Sequence, residues 1–140
     1  MHYGAHNDLQ NKRELLESIP GIGEATIGVI LAFFGDPSDF SSAKEISAFL
    51  GLNPRQNQSG SSVNLRTRIS KTGDASLRKA LYMPAVVAMR HNPTIRPFSQ
   101  NLLQRGKSKM AVVVASMRKL VHIAYGVLKN GKPFNPAWQN

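Results

Sequence analysis

The residues best suited to chemistry lie near the middle of the chain, in Arg55-Gln-Asn-Gln-Ser-Gly-Ser-Ser. Ser59 is followed there by Gly60 and, a little further on, by Arg66, Arg68 and Lys71. A serine hydroxyl attacks phosphorus only when it is held in line with the leaving group and relieved of its proton. It also needs cations that take charge from the non-bridging oxygens. Gly60 allows a close approach to a substrate backbone, and Arg55, Arg66, Arg68 and Lys71 supply the cations. The chemistry would be phosphoryl transfer. A general base is missing from the pattern, because Asp74 is the only acid after Glu45 and nothing in the spacing sets it beside Ser59. A serine in a polar loop is also a common solvated turn residue, and the local pattern leaves both readings open.

A second pattern is Ile19-Pro20-Gly21-Ile22-Gly23, lying between two helical stretches. In a helix-hairpin-helix element, Gly21, Ile22 and Gly23 would present backbone amides to a phosphate, next to the positive end of the following helix. Such a contact reads backbone phosphate and not base sequence. The other reading is a structural corner that needs glycine for its turn alone.

The remaining candidates are plainer. His91 adjoins Asn92-Pro93 and reads as a turn residue, while His122 sits in an apolar helix as a satisfied, partly buried histidine. Neither has a second histidine or a carboxylate at ligand spacing, and no cysteine is present, so no metal site is expected. Arg78 and Lys79, Arg118 and Lys119, and the loop pair Lys107 and Lys109 read as phosphate contacts or solvated charges. Tyr82, Tyr125 and Trp138 are too scattered for a stacking platform and read as core or docking residues.

These residues must be positioned by a mainly helical chain. Leu9, Leu15 and Leu16 among charges predict a short helix over 8–18, and an apolar helix runs from Glu24 to Phe34, ended by Gly35-Asp36-Pro37. Ser42-Ala43-Lys44-Glu45 matches a capping box for a helix over about 43–50. Between Leu52 and Gly73 only Val63, Leu65 and Ile69 are apolar, which predicts an exposed basic loop that is irregular or forms a short β-hairpin over 62–70. Helical spacing returns from Ala75 to Met89, with a kink or break expected at Pro84. A loop and short helix follow over 91–106, then the longest helix over 108–129 and a tail that is unstructured or docked. The fold class expected is all-α, with a helix-hairpin-helix over 15–34, the Ser-Gly basic loop over 52–73 and a helical core over 75–129. Residues 1–14 would be an N-terminal extension and 130–140 a C-terminal tail.

Charge separates the chain into unlike parts. Of its 140 residues, 18 are Lys or Arg and 8 are Asp or Glu, a formal +10. Seven of the acids precede Arg55 and fifteen of the basic residues stand at or after it. A one-signed segment of this length concentrates positive potential and favours a polyanion over a small neutral ligand. No apolar run approaches the ~20 uninterrupted residues of a membrane span, and the start MHYGAHNDLQNKRELLES has no signal-peptide core. A cytoplasmic, nucleoid-associated protein without a membrane partner is expected.

The order of these blocks points to a family. The run LLESIPGIGEATIGVILAFFGDPSDFSSAKEISAFLGLNPRQNQSG, followed by RTRISKTGDASLRKALYMPA, closely resembles the C-terminal transposase domain of the insertion-sequence-110 family, its 1111 branch included, over about 15–135. The resemblance implies that Ser59 is a recombination nucleophile that bonds transiently to a DNA end, and that the glycine corner is a helix-hairpin-helix. It implies DNA, both element ends and target, and a structured bridge RNA as partners, with a homo-oligomer in the full-length protein. It further implies an N-terminal resolvase-like domain of the RuvC type whose acids bind Mg2+. Residues 1–14 cannot hold those acids, so no cofactor is expected in this chain, which reads as the C-terminal part of a longer protein.

Two rivals predict different chemistry. A non-enzymatic helix-hairpin-helix module would use the basic half only as a clamp on nucleic acid. A base-excision glycosylase would need an acid poised downstream of the hairpin, but Asp36 and Asp39 come too early and Asp74 lies beyond the basic loop.

Overall fold

A computed structural model describes residues 2–34, 40–49 and 75–137, and among them every regular element is an α-helix. The elements are α1 (His2–Glu17), α2 (Glu24–Phe34), α3 (Ala43–Phe49), α4 (Ala75–His91), α5 (Ile95–Gln104) and α6 (Lys109–Asn130). The expected all-α class is the observed one. The 52–73 loop, with its expected hairpin, lies outside the described residues.

α6 is the axis of the fold. Its N-terminus is fixed by Ser108, whose hydroxyl accepts from the Ala111 amide at 3.2 Å, and its C-terminus by Gly131, whose left-handed φ of 67° ends the helix with an amide bond to Val127. Between these caps the apolar residues recur so closely that α6 is long and apolar enough to cross a membrane by length and composition. They are instead packed inside the protein: Val113, Met117, Leu120, Val121, Ala124 and Leu128 meet Leu81, Ala85 and Ala88 of α4, Ile95 of α5, Ile46 of α3 and Leu15 and Leu16 of α1 in one continuous core. Each buried aliphatic side chain contributes on the order of 1.5–3 kcal/mol relative to exposure, so this cluster dominates the stability of the fold.

Two elements differ from the sequence pattern, and the tail takes one of its two expected states. α1 begins at His2 and not near Asp8, since the stretch before Leu9 contains no Pro to stop the helix. α4 runs through Pro84 as one helix of 17 residues. Proline removes the donor for the Ala80 carbonyl, but Pro84 is buried beside Leu81, Ala85 and Ala88, and packing on α2, α5 and α6 holds the helix together. The tail is docked: Phe134 packs against the core and its amide donates to Ser18 Oγ at 2.8 Å.

α3 is capped nearly as its sequence predicts. The Glu45 amide donates to Ser42 Oγ at 3.3 Å, while the Glu45 carboxylate accepts from the Ser41 amide at 2.7 Å, one residue earlier than in a standard capping box. Pro97 stands in the first turn of α5, where its missing amide has no partner to lose.

Candidate nucleic-acid interface

The glycine corner between α1 and α2 is built around its contact with α4. Gly21 has φ +107°, and a Cβ placed on it would lie 2.9 Å from the Cβ of Ala88, so glycine is required both by backbone conformation and by close approach. The side chain of Ile22 is buried in the core, its amide donating to the Ile19 carbonyl at 3.2 Å. Gly23 is exposed and its carbonyl accepts from the Ile27 amide at 3.0 Å. The first helical residue of α2 is Glu24, paired with Arg13 of α1. A carboxylate at that position occupies the positive end of the helix and opposes a phosphate there.

Asn92 ties this corner to the basic half. Its side chain is fully buried; Nδ2 donates to the Pro20 carbonyl at 2.9 Å, and Oδ1 accepts from the amides of Thr94 at 2.8 Å and Ile95 at 3.1 Å. One asparagine thus satisfies a carbonyl of the glycine corner and caps α5. Sequence reasoning missed it, taking His91-Asn92-Pro93 for a plain turn. The Asn-Pro pair ahead of a helical stretch was its one local signal.

The sequence-predicted site residues fall into two groups. Ser59, Arg55, Gly60, Arg66, Arg68 and Lys71 lie outside the described residues. Arg78 and Lys79 open α4, the first half-buried and the second exposed. From Ala75 to Ala137 the chain carries eleven Lys or Arg and no acid. The salt bridges Lys12 to Asp8 and Arg13 to Glu24 both belong to the acidic first third. Lys119 lies over the Phe98 ring at 5.2 Å and Lys129 over Tyr125 at 5.7 Å, which turns part of this positive charge toward aromatic faces.

His122 is the satisfied histidine its apolar setting predicts. Its Nε2 meets Ser47 Oγ at 3.0 Å, joining α6 to α3. Burial, together with the charges of Arg118, Lys119 and Lys44, holds the imidazole below its ordinary value near 6.5. A Ser–His contact has the outline of a nucleophile and its base, but Ser47 is wholly buried and no substrate reaches it. His91 is exposed at the end of α4. Among the described residues no three His, Cys, Asp or Glu gather as a metal would require.

The aromatic residues divide. Tyr125 is in the core, its hydroxyl donating to the Phe40 carbonyl at 3.2 Å, whereas Tyr82 is 40% exposed on the outer face of α4. Met83 and Val87 lie exposed on the same helix. This apolar ridge was not foreseen, although the spacing of Lys79, Met83, Val87 and Arg90 was readable as one helical face.

Comparison with known proteins accords with this picture. Residues 13–100 match the family described as "Transposase IS116/IS110/IS902 family". The chain is 40% identical over 129 residues to the pilin gene-inverting protein of Moraxella bovis, covering 91% of this chain and 40% of that protein. It is 41% identical over 76 residues to the transposase for insertion sequence element IS1111A of Coxiella burnetii, covering 54% of this chain and 21% of the relative. An insertion element IS110 protein of Streptomyces coelicolor is 26% identical over 117 residues, 84% of this chain and 29% of its own length. The chain spans two fifths or less of each of these relatives.

Proposed function

The chain belongs to the IS116/IS110/IS902 family of transposases, and from that premise we propose that it acts in DNA transposition or recombination as the part of a transposase that supplies the serine nucleophile and grips DNA. The observation that carries this reading is that the family match covers the glycine corner, the Ser59 block and α4 together. Relatives named as transposases and as a pilin gene-inverting protein support it. The charge distribution supports it as well, since the acid-free half would neutralise phosphates wherever the strand runs.

Ser59 Oγ attacks the phosphorus of a DNA phosphodiester. The new bond is Ser59 Oγ to phosphorus, the bond broken is phosphorus to the 3′ oxygen, and the 3′ oxygen leaves as a hydroxyl on taking up a proton. A different 3′ hydroxyl then attacks the phosphoserine, restoring the serine and joining a new strand. One phosphodiester replaces another at each step, so no external energy source is needed. Arg55, Arg66, Arg68 and Lys71 would offset charge on the non-bridging oxygens, with Gly60 allowing the approach. Arg78 and Lys79 would hold neighbouring phosphates. Of the glycine corner, only the Gly21 and Gly23 main-chain amides would contribute, since the Ile22 amide is taken by the Ile19 carbonyl.

The group that accepts the serine proton, and the acids for Mg2+, are assigned to the RuvC-like N-terminal domain that the family resemblance implies. The described residues of this chain offer no metal-binding group, so no step here runs through the metal. Bridge RNA, DNA ends and a second copy of the full-length protein complete the proposed assembly.

The test is Ser59→Ala in the full-length context with guide RNA and Mg2+. It is expected to abolish both recombination and the covalent protein–DNA adduct, leaving DNA affinity within about twofold. An adduct that persists places the nucleophile elsewhere, and recombination unaffected by the change favours the non-enzymatic clamp.

A further inference from the structure

α4 buries one face and leaves the other without a covering element among the described residues. Leu81, Pro84, Ala85, Ala88 and Asn92 recur at helical spacing and face the core. On the opposite side Lys79, Met83 and Arg90 form an exposed line, flanked by Tyr82 and Val87. Met83 is 61% exposed, Tyr82 40% and Val87 39%, which is unusual for large apolar side chains in a helix this well packed. Cations stand at both ends of this apolar centre, with eleven residue steps from Lys79 to Arg90 giving ~16 Å along the axis.

We propose that this outer face of α4 is a binding ridge for a nucleic-acid strand whose bases are unpaired. Lys79 and Arg90 hold phosphates of one strand, and Tyr82, Met83 and Val87 take the faces of the bases between them. The inference deepens the functional reading above and rests on it, naming the form of nucleic acid that this face accepts. Charge complementarity selects the occupant. α4 has no acid, and none follows it in the chain. A second copy seated on the same face would bring Lys79 and Arg90 against their own counterparts or against other cations of that half. A regular duplex would satisfy the cations but leave the apolar centre against phosphate and sugar, whereas unstacked bases offer the flat apolar faces that Tyr82 and the apolar side chains beside it take up.

The experiment is fluorescence anisotropy of the 140-residue chain with a labelled, unstructured single-stranded DNA and with a labelled duplex, over a salt series. Tyr82→Ala is expected to weaken single-strand binding at least about fivefold and duplex binding by less than about twofold, with Tyr82→Phe close to the parent chain. Lys79→Ala and Arg90→Ala are each expected to reduce the single-strand salt slope by about 0.7. Met83→Ser tests the apolar centre without the tyrosine, and circular dichroism checks that each variant keeps its helices. The proposal is overturned if Tyr82→Ala and Met83→Ser both bind single strands within twofold of the parent. It is equally overturned if single strand and duplex weaken together, or if the chain self-associates through this face and Met83→Ser abolishes that association. Binding insensitive to Tyr82 alongside a Ser59-dependent adduct removes this inference and leaves the recombinase reading intact. The converse pair of results does the opposite.

Discussion

The first 49 residues and the stretch from Ala75 onward use charge in opposite ways. In the first region acids outnumber bases, and two of its three cations are paired, Lys12 with Asp8 and Arg13 with Glu24. The second region has eleven cations and no acid of its own. Both contribute to one apolar core, so the difference is not one of fold. It teaches that the glycine corner is a seam within the structure, whereas the charged surface behind it is left for a partner of opposite sign.

The largest effect is expected where the two regions meet. Gly21→Val adds a side chain at φ +107°, where an L residue is strained, and its Cβ would meet Ala88 at 2.9 Å. A loss of about 3 kcal/mol or more of unfolding free energy is expected from urea titration. Ala88→Gly in the same chain should recover part of that loss by relieving the side-chain contact, leaving the backbone strain and the close approach to the main chain at position 88. If Gly21→Val kept full stability, the corner would not be a packing seam, and its glycines would be free to serve a ligand.

Asn92→Ala comes next. It would strand the Pro20 carbonyl and the amides of Thr94 and Ile95 in a buried setting, and a loss of about 2–3 kcal/mol is expected, read as a lower urea midpoint with the slope unchanged. Asn92→Asp would keep the acceptor for α5 but lose the donor to Pro20, so it should fall between the two and separate the cap from the seam.

The third expectation concerns pH. His122 is held below its ordinary value when folded, so the unfolded chain binds the proton more readily. Stability is then full above about 6.5 and falls as pH drops from that value toward the lower folded one. Thermal melts at descending pH should show this decline, and His122→Gln should flatten it. Were the decline absent, neither burial of the ring, the larger cause, nor the cations Arg118, Lys119 and Lys44 would be holding the imidazole down.

These outcomes bear on what the sequence could disclose. The helices were legible because their caps and apolar spacing are local: Ser108 and Gly131 bracket α6, and Ser42 with Glu45 opens α3. Pro84 does not break α4, because the packing that holds the helix together is tertiary and lies in residues distant along the chain. The Asn92 bond to Pro20 and the His122 contact with Ser47 span 72 and 75 residues, and no pattern within either segment announces them. The candidate chemistry was legible in a different sense. Ser59 and its cations stand out by residue type and family resemblance, while the described structure gives their setting only through α3 before them and α4 after.

The smallest expected effect is also the sharpest test of the opening contrast, because it turns on sign. Arg13→Ala removes one partner of an exposed ion pair and should cost a few tenths of a kcal/mol, vanishing in high salt. Lys79→Ala removes an exposed cation from a region whose own charges are all positive. Self-repulsion there is relieved by the change, so stability should stay level or rise by a similar small amount, again only at low salt. Two charge deletions of the same kind would then move the urea midpoint in opposite directions. If both lowered it, Lys79 would be contributing to the fold, and the positive face of α4 would be part of the structure and not a surface left open for a strand.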